Sequence, residues 1–304
     1  MNKVLNKQFI NCSENKLEKK IMNVLSTNYH THLVYCGHAT GKTEDYVKKA
    51  IEDGYTELGI SDHGPIPKSW MTDKEYKMLW LDEQMDFNFF HKTYIPEINA
   101  AIKKYDSKIK ILKGIEIEYF EEKKEYFKQL RAKLDYMILG MHYFKYENKF
   151  QTPYVPFNYK LVVPYANAVA QALDSGLFDI LAHPDIFMFY YISEEKKMYD
   201  FDSYCVEASK IIIEAAIRNN VYLEVNVGGF TKGIKKHDDK TSDYLYPRKE
   251  FWEIVKKYDK AKIIIGVDAH NPKELSGLEI TTAISFANSL GLIVSDKLEL
   301  RKMK

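Results

Sequence analysis

Short apolar runs rich in β-branched residues alternate along this chain with longer segments in which apolar residues recur every three or four positions. The runs Val24–Tyr29, Glu57–Ser61, Ile109–Ile117, Tyr136–Met141, Phe178–Ala182, Val221–Val225 and Lys262–Val267 predict strands. The segments Thr43–Asp53, Phe89–Lys104, Lys124–Lys133, Tyr165–Asp174, Ser203–Arg218, Arg248–Tyr258 and Ser276–Leu290 predict helices. Strands and helices in strict alternation imply parallel strands joined by helical crossovers, either as an open doubly wound sheet or as a closed barrel. Neither GxGxxG nor GxxxxGK[ST] occurs, which counts against a nucleotide-binding sheet.

Two aromatic-rich insertions, residues 143–160 and 186–200, interrupt the alternation. They are too long for ordinary connectors and too apolar for solvated linkers, so lids or rims over a site are expected. Residues 1–21 are polar and rich in Lys and Asn and lack the apolar core of a secretory signal. They read as an N-terminal extension to a single domain spanning residues 22–304.

The chain of 304 residues is long enough to bury a large core, and its Lys+Arg 44 against Asp+Glu 43 leaves a formal charge of +1. That balance lacks the basic footprint of a dedicated binder of long nucleic acid. With a mean hydropathy of −0.40 and no apolar run near the roughly 18 residues a bilayer requires, no membrane span is expected. Cys12, Cys36 and Cys205 are odd in number and widely spaced, giving neither a disulfide framework nor a thiolate zinc knuckle. A reducing, cytoplasmic setting is the expectation.

The histidines carry the chemistry. His30 and His32 form an HxH at the end of the first predicted strand, where positions i and i+2 share a face. His38 follows in CGHATG, His63 in SDHG after the second strand, and Glu116 and Glu118 in GIEIE on the third. His142, His183 and the pair Asp268 and His270 close the fourth, fifth and seventh strands. In parallel α/β folds the carboxyl ends of strands gather on one face, where ligands bind. So many imidazoles converging there with carboxylates would be costly without a cation. Imidazole and carboxylate suit Zn²⁺, Mn²⁺ or Fe²⁺. The number of ligands exceeds one tetrahedral shell and calls for two or three metals sharing a carboxylate. His91 lies in a helical segment and reads as structural; His237, in a polar loop, reads as solvated.

The ordered set HTH, GHATG, SDHG, GIEIE, GMH, AHPD and DAH resembles the polymerase-and-histidinol-phosphatase (PHP) superfamily, in particular its histidinol-phosphatase family. The resemblance implies a distorted (β/α)7 TIM-like barrel with three divalent metals at the carboxyl face. By motif, His30, His32, Glu116 and Asp268 would hold the first metal. Glu116 would bridge to a second, held by His142 and His183, and His38, His63 and His270 would hold the third. Asp62 and Asp185 would orient neighbouring imidazoles, with Asp62 also a candidate acid at the leaving oxygen.

The implied activity is hydrolysis of a small phosphomonoester, most closely L-histidinol phosphate, by a metal-bridging hydroxide, in a monomer or weak oligomer. The catalytic set is Asp62, Glu116 and Asp268. Two arginines expected of the pattern are absent: HPDIFMFYY has none, and Asn226 to Lys232 reads NVGGFTK. Lys232 and Arg248 are the candidate phosphate cations, although lysine offers no bidentate fork. Another phosphomonoester or a short nucleotide is the alternative substrate, and a non-catalytic metal-binding module the third reading.

Overall fold

The computed structural model describes residues 25–236 and 242–301. The expected extension at residues 1–21, Cys12 and the solvated His237 lie outside them. Eight short strands in parallel ladders carry the site: β1 (Thr27–Asn28), β2 (Glu57–Ile60), β3 (Lys110–Lys113), β4 (Glu116–Ile117), β5 (Ile138–Leu139), β6 (Ile180–Leu181), β7 (Tyr222–Asn226) and β8 (Lys262–Gly266). The principal helices between and after them are α1 (Thr43–Glu52), α2 (Ile95–Tyr105), α3 (Lys124–Arg131), α4 (Tyr159–Asp174), α5 (Ser203–Arg218), α6 (Lys249–Val255) and α7 (Leu278–Leu290).

All seven predicted helices are present, with shifted ends. Helix α4 starts six residues before Tyr165, because Asn158 caps it by accepting the Lys160 amide and Pro164 is accommodated inside it. Helix α5 is capped by Asp202, which accepts the Tyr204 and Cys205 amides. It buries Cys205, Ala208, Ser209, Ile212, Ile213, Ala215 and Ala216, the stripe that three- and four-residue spacing produces.

The sheet does not close as one continuous ladder among the described residues. Strands β1-β2-β3 form one parallel sheet and β8-β7-β6-β5-β4 another. The single predicted strand Ile109–Ile117 is split at Gly114 and Ile115, its first part pairing with β2 and its second with β5. Two isolated parallel bridges join the sheets, Thr31 with Ala269 and His63 with Glu116.

Most buried side chains belong to one large cluster that includes the apolar faces of the helices. A second, smaller cluster draws Leu112, Ile138, Ile180, Tyr222 and Ile264 from strands of both sheets, with Tyr29 and Tyr136. Every residue of β7 is buried, as expected of a strand covered on both faces. The two insertions meet each other: Phe157–Asn158 of the first pairs in parallel with Tyr191–Ile192 of the second. No helix among the described residues is long and apolar enough to cross a membrane.

Candidate metal centre

His30 and His32 follow β1 and are completely buried, and their Nε2 atoms lie 3.0 Å apart. Across from them, Glu116 at the start of β4 divides its two oxygens. Oε2 lies 3.3 Å from His30 Nε2, 3.3 Å from His32 Nε2 and 3.4 Å from His63 Nδ1. Oε1 lies 3.0 Å from His183 Nε2 and 3.4 Å from His142 Nε2. The space for this carboxylate depends on Gly140, two residues before His142. A Cβ there would fall 2.3 Å from Glu116 Oε1.

Asp268 Oδ1 completes the first group, 3.0 Å from His32 Nε2 and 3.4 Å from His30 Nε2. Both Asp268 and His183 have left-handed backbone, φ 56° and 31°, a conformation that side-chain-bearing residues keep only where the surroundings hold them. The ligand atoms of His30, His32 and Asp268 form one compact group, those of Glu116, His142 and His183 a second, and those of His38, His63 and His270 a third. The residues of the three motif sets are thus brought together, with Glu116 also within 3.3 Å of His30 and His32, and two overlapping groups, His32 with Cys36 and His270 and His32 with His63 and Glu116, lie among them. His38 is anchored through Nδ1 to the carbonyl of Cys36, two residues earlier, at 3.0 Å, and His270 through Nδ1 to the Asp268 carbonyl at 2.9 Å.

The electrostatics suit cations. Burial would lower the pKa of His30, but Glu224, Asp268 and Glu116 outweigh it and raise it well above the ordinary imidazole value; His32 is raised in the same sense by Asp268 and Asp62. Burial pushes His63 far down and His270 down to about 3, aided by the neighbouring His32. Burial would raise Glu116 and Asp268, yet the imidazoles hold both carboxyls well below the usual range. Facing nitrogens such as His142 and His183 Nε2, 3.2 Å apart, need a proton or a cation between them. The donor set therefore fits divalent metals of the imidazole- and carboxylate-binding kind.

The supporting residues are partly those expected. Asp62 is fully buried beneath His32, its Oδ1 3.6 Å from His32 Nδ1 and accepting the His63 amide at 2.9 Å. Asp185 accepts the Arg248 backbone amide, and burial lifts its carboxyl to about 7. Glu118 holds His142 through Nδ1 at 2.9 Å. The largest omission of sequence reasoning is Glu224, which accepts His30 Nδ1–H at 2.8 Å and the His183 amide at 3.1 Å. Asn226, two residues on, donates to Glu224 at 2.8 Å and to Asp268 at 3.2 Å. The alternation of Glu and Asn in the apolar run LEVN is the signal that could have exposed both.

The two phosphate candidates separate. Lys232 is exposed, just after the 3-10 turn Gly228–Thr231, whose Gly228 and Thr231 line a cleft shared with Asp268, His270 and Lys273. Arg248 is 1% exposed, with its guanidinium 2.7 Å from Glu250 and 3.8 Å from Asp243, and it lines none of the cavities beside the histidines. His91 packs edge-on against Phe87 and Phe90, as a structural residue would.

A family model described as the PHP domain matches residues 28–228. The chain is 24% identical over 279 residues to the "Probable histidinol-phosphatase" of Schizosaccharomyces pombe, covering 86% of each. A Deinococcus radiodurans protein of the same description is 24% identical over 270 residues, covering 86% of this chain and 92% of that one. Among solved structures, the histidinol phosphate phosphatase of Lactococcus lactis, complexed with Zn, L-histidinol and phosphate, aligns with a TM-score of 0.64 at 20% identity. That alignment covers 88% of this chain and 94% of that one, a likeness of fold.

Proposed function

Since the chain belongs to the PHP domain family, we propose that it is a metal-dependent phosphomonoesterase whose substrate is L-histidinol phosphate, released as L-histidinol and phosphate. The observation that carries this reading is the division of Glu116 between two groups of imidazoles, the arrangement of a carboxylate shared by two metals. The two sheets and their bridges are read as a distorted (β/α)7 barrel, with the small inner cluster as its packed floor. The name shared by the curated relatives, and the L-histidinol and phosphate held by the Lactococcus lactis structure, support the substrate.

His30, His32, Glu116 and Asp268 hold the first of three divalent ions, Glu116, His142 and His183 the second, and His38, His63 and His270 the third, with Zn, Mn or Fe all compatible. Such ions, when bound, supply a nucleophile from water at neutral pH and neutralise the phosphoryl oxygens. The chain's own part is to fix that constellation. Glu224 sets the His30 ring, Glu118 sets His142, and Asp62 backs His32. Lys232 is the proposed phosphate-side cation, while Arg248, engaged by Glu250, anchors its loop through the hydrogen bond its backbone amide donates to Asp185.

All nine candidate ligands come from one chain, so a monomer suffices. The buried, unpaired Cys36 and Cys205 suit a reducing, cytoplasmic setting. The test is turnover of L-histidinol phosphate against a panel of phosphomonoesters and short nucleotides by metal-replete protein. A better substrate elsewhere in the panel would replace histidinol phosphate and keep the phosphatase. No turnover of any phosphoester would leave a metal-binding module.

A further inference from the structure

Strand β2 pairs with β3 as far as Ile60 with Lys113, and the Gly114 amide extends the ladder by donating to the Ile60 carbonyl at 2.7 Å. The next rung of a parallel ladder would run from the Asp62 amide to the Gly114 carbonyl. Here the hydroxyl of Tyr94 stands in its place, accepting the Asp62 amide at 3.1 Å and donating to the Gly114 carbonyl at 2.8 Å. Beyond the insertion the Glu116 amide meets the Ser61 and Asp62 carbonyls, both at 3.1 Å, and His63 and Glu116 form their isolated bridge. A side chain is thus wedged between two strands where the split strand leaves β2 for β5.

Tyr94 is completely buried, and it comes from a segment of unusual geometry. Phe90–Tyr94 is a π turn set between the short helix Phe87–Phe89 and α2. Its cause is local. Pro96, the second residue of α2, has no amide for the Lys92 carbonyl, and its ring crowds that carbonyl, so the helix widens there. Such turns are frequent at functional sites. The rings of Phe90 and Tyr94 stack at 5.9 Å, both fully buried, which fixes the direction of the phenol.

From this we infer that Tyr94 is a positioning residue of the metal centre, its hydroxyl setting the separation of the two segments that present His63 and Glu116. The inference rests on the metal-centre reading and holds whichever phosphoester is hydrolysed. Tyr94 acts through its neighbours. Asp62 takes the His63 amide on its carboxylate at 2.9 Å and backs His32, and Gly114 lies two residues before Glu116. Without the hydroxyl, the Asp62 amide and the Gly114 carbonyl either draw together directly or stay buried and unpaired. Both outcomes move His63 relative to Glu116.

The test is Tyr94→Phe in the full-length chain, which keeps the ring and its stacking and removes only the hydroxyl. Tyr55→Phe is the control: Tyr55 is 3% exposed, and its hydroxyl donates to the Leu275 carbonyl at 2.6 Å, bonding no group of the centre. Both variants should lose thermal stability to a similar extent. Zn²⁺ affinity, measured by competition against a chelator, should fall about tenfold in Tyr94→Phe and stay at the wild-type level in Tyr55→Phe. In metal-free protein the Asp62 amide should exchange with solvent faster in Tyr94→Phe alone, a readout that needs neither metal nor turnover. Wild-type Zn²⁺ affinity in Tyr94→Phe, or an equal loss in both variants, would overturn the inference. No Zn²⁺ uptake by the wild type would defeat the metal-centre reading, and the Asp62 exchange would still decide whether Tyr94 spaces the two segments.

Discussion

Glu224 accepts the Nδ1 hydrogen of His30 at 2.8 Å, and this leaves His30 Nε2 facing Glu116 and Asp268. The bond selects the tautomer a metal needs and makes the ring a stronger donor. Glu224→Gln keeps the shape and loses the charge. Metal affinity at the first position should fall about 10- to 100-fold. Competition against a chelator of known affinity measures it, and unchanged retention would remove Glu224 from any role in holding the metal.

Glu116 and Glu118 stand two residues apart on one strand face, but only Glu116 lies between the imidazole groups. Glu116→Gln should strip metal from two positions and abolish activity. Glu118→Gln should retain metal near the wild-type level and lose activity about 10- to 100-fold, through a loosened His142. Elemental analysis alongside kinetics separates them. Wild-type protein should carry two or three ions per chain, and a value of one or less would refute the shared-carboxylate arrangement.

Metal uptake should release protons. The carboxylates around His30 and His32 raise both rings well above the ordinary imidazole value, so at neutral pH the metal-free site holds protons that a cation must displace. His270, pushed down to about 3, has none to lose. Affinity therefore rises with pH and falls as the solution is acidified. Titration calorimetry in buffers of different ionisation enthalpy should show net proton release at pH ~7; none would mean that His30 and His32 do not bind the cation.

Arg131 and Asp179, each 2% exposed, pair at 3.1 Å behind the sheet. Arg131 also donates to the Leu177 and Leu134 carbonyls, and Asp179 accepts the Met137 amide. Removing one partner leaves the other charged and buried. Asp179→Ala should cost about 3–5 kcal/mol of stability by denaturant unfolding. A loss under ~1 kcal/mol, the size of a surface pair, would contradict that burial.

Lys232, exposed just after the turn Gly228–Thr231, is the proposed phosphate-side cation, with no expected arginine beside it. An interaction made equally to substrate and transition state appears in KM. Lys232→Ala should raise KM about tenfold with kcat nearly constant. Arg248→Ala should act chiefly on stability, since its guanidinium is buried against Glu250. Wild-type kinetics for Lys232→Ala would move phosphate recognition to Lys273, which shares the cleft with His270.

The alternation of apolar runs and helical spacing made the parallel α/β arrangement readable, because buried strands and amphipathic helices have different periods. The histidines were readable because each closes such a run. What escaped depends on contacts distant in the chain. Glu224 looks like a lapse in an apolar strand until His30, 194 residues away, is seen against it. The division of Ile109–Ile117 escaped because a strand's composition does not say which neighbour each half meets. Arg248 looked free because nothing local announces that it is enclosed. Trp80 and Glu83 lie in a stretch with no clear period, and only folding brings them to His38 and His142.

The two single-residue bridges between the sheets give the metals a mechanical part. One lies at Glu116 and the other at Ala269, beside Asp268, so both seams end at the carboxylates proposed for the first metal, while His30 and His32 come from the opposite sheet. A cation held by those four residues, as proposed, would rivet one sheet to the other where hydrogen bonding is thinnest. Loading would then tie the two sheets together as well as arm the site. Amides at the seams, such as those of His32 and Gly64, become the gauge of occupancy, exchanging slowly with solvent when the rivet is in and fast when it is drawn.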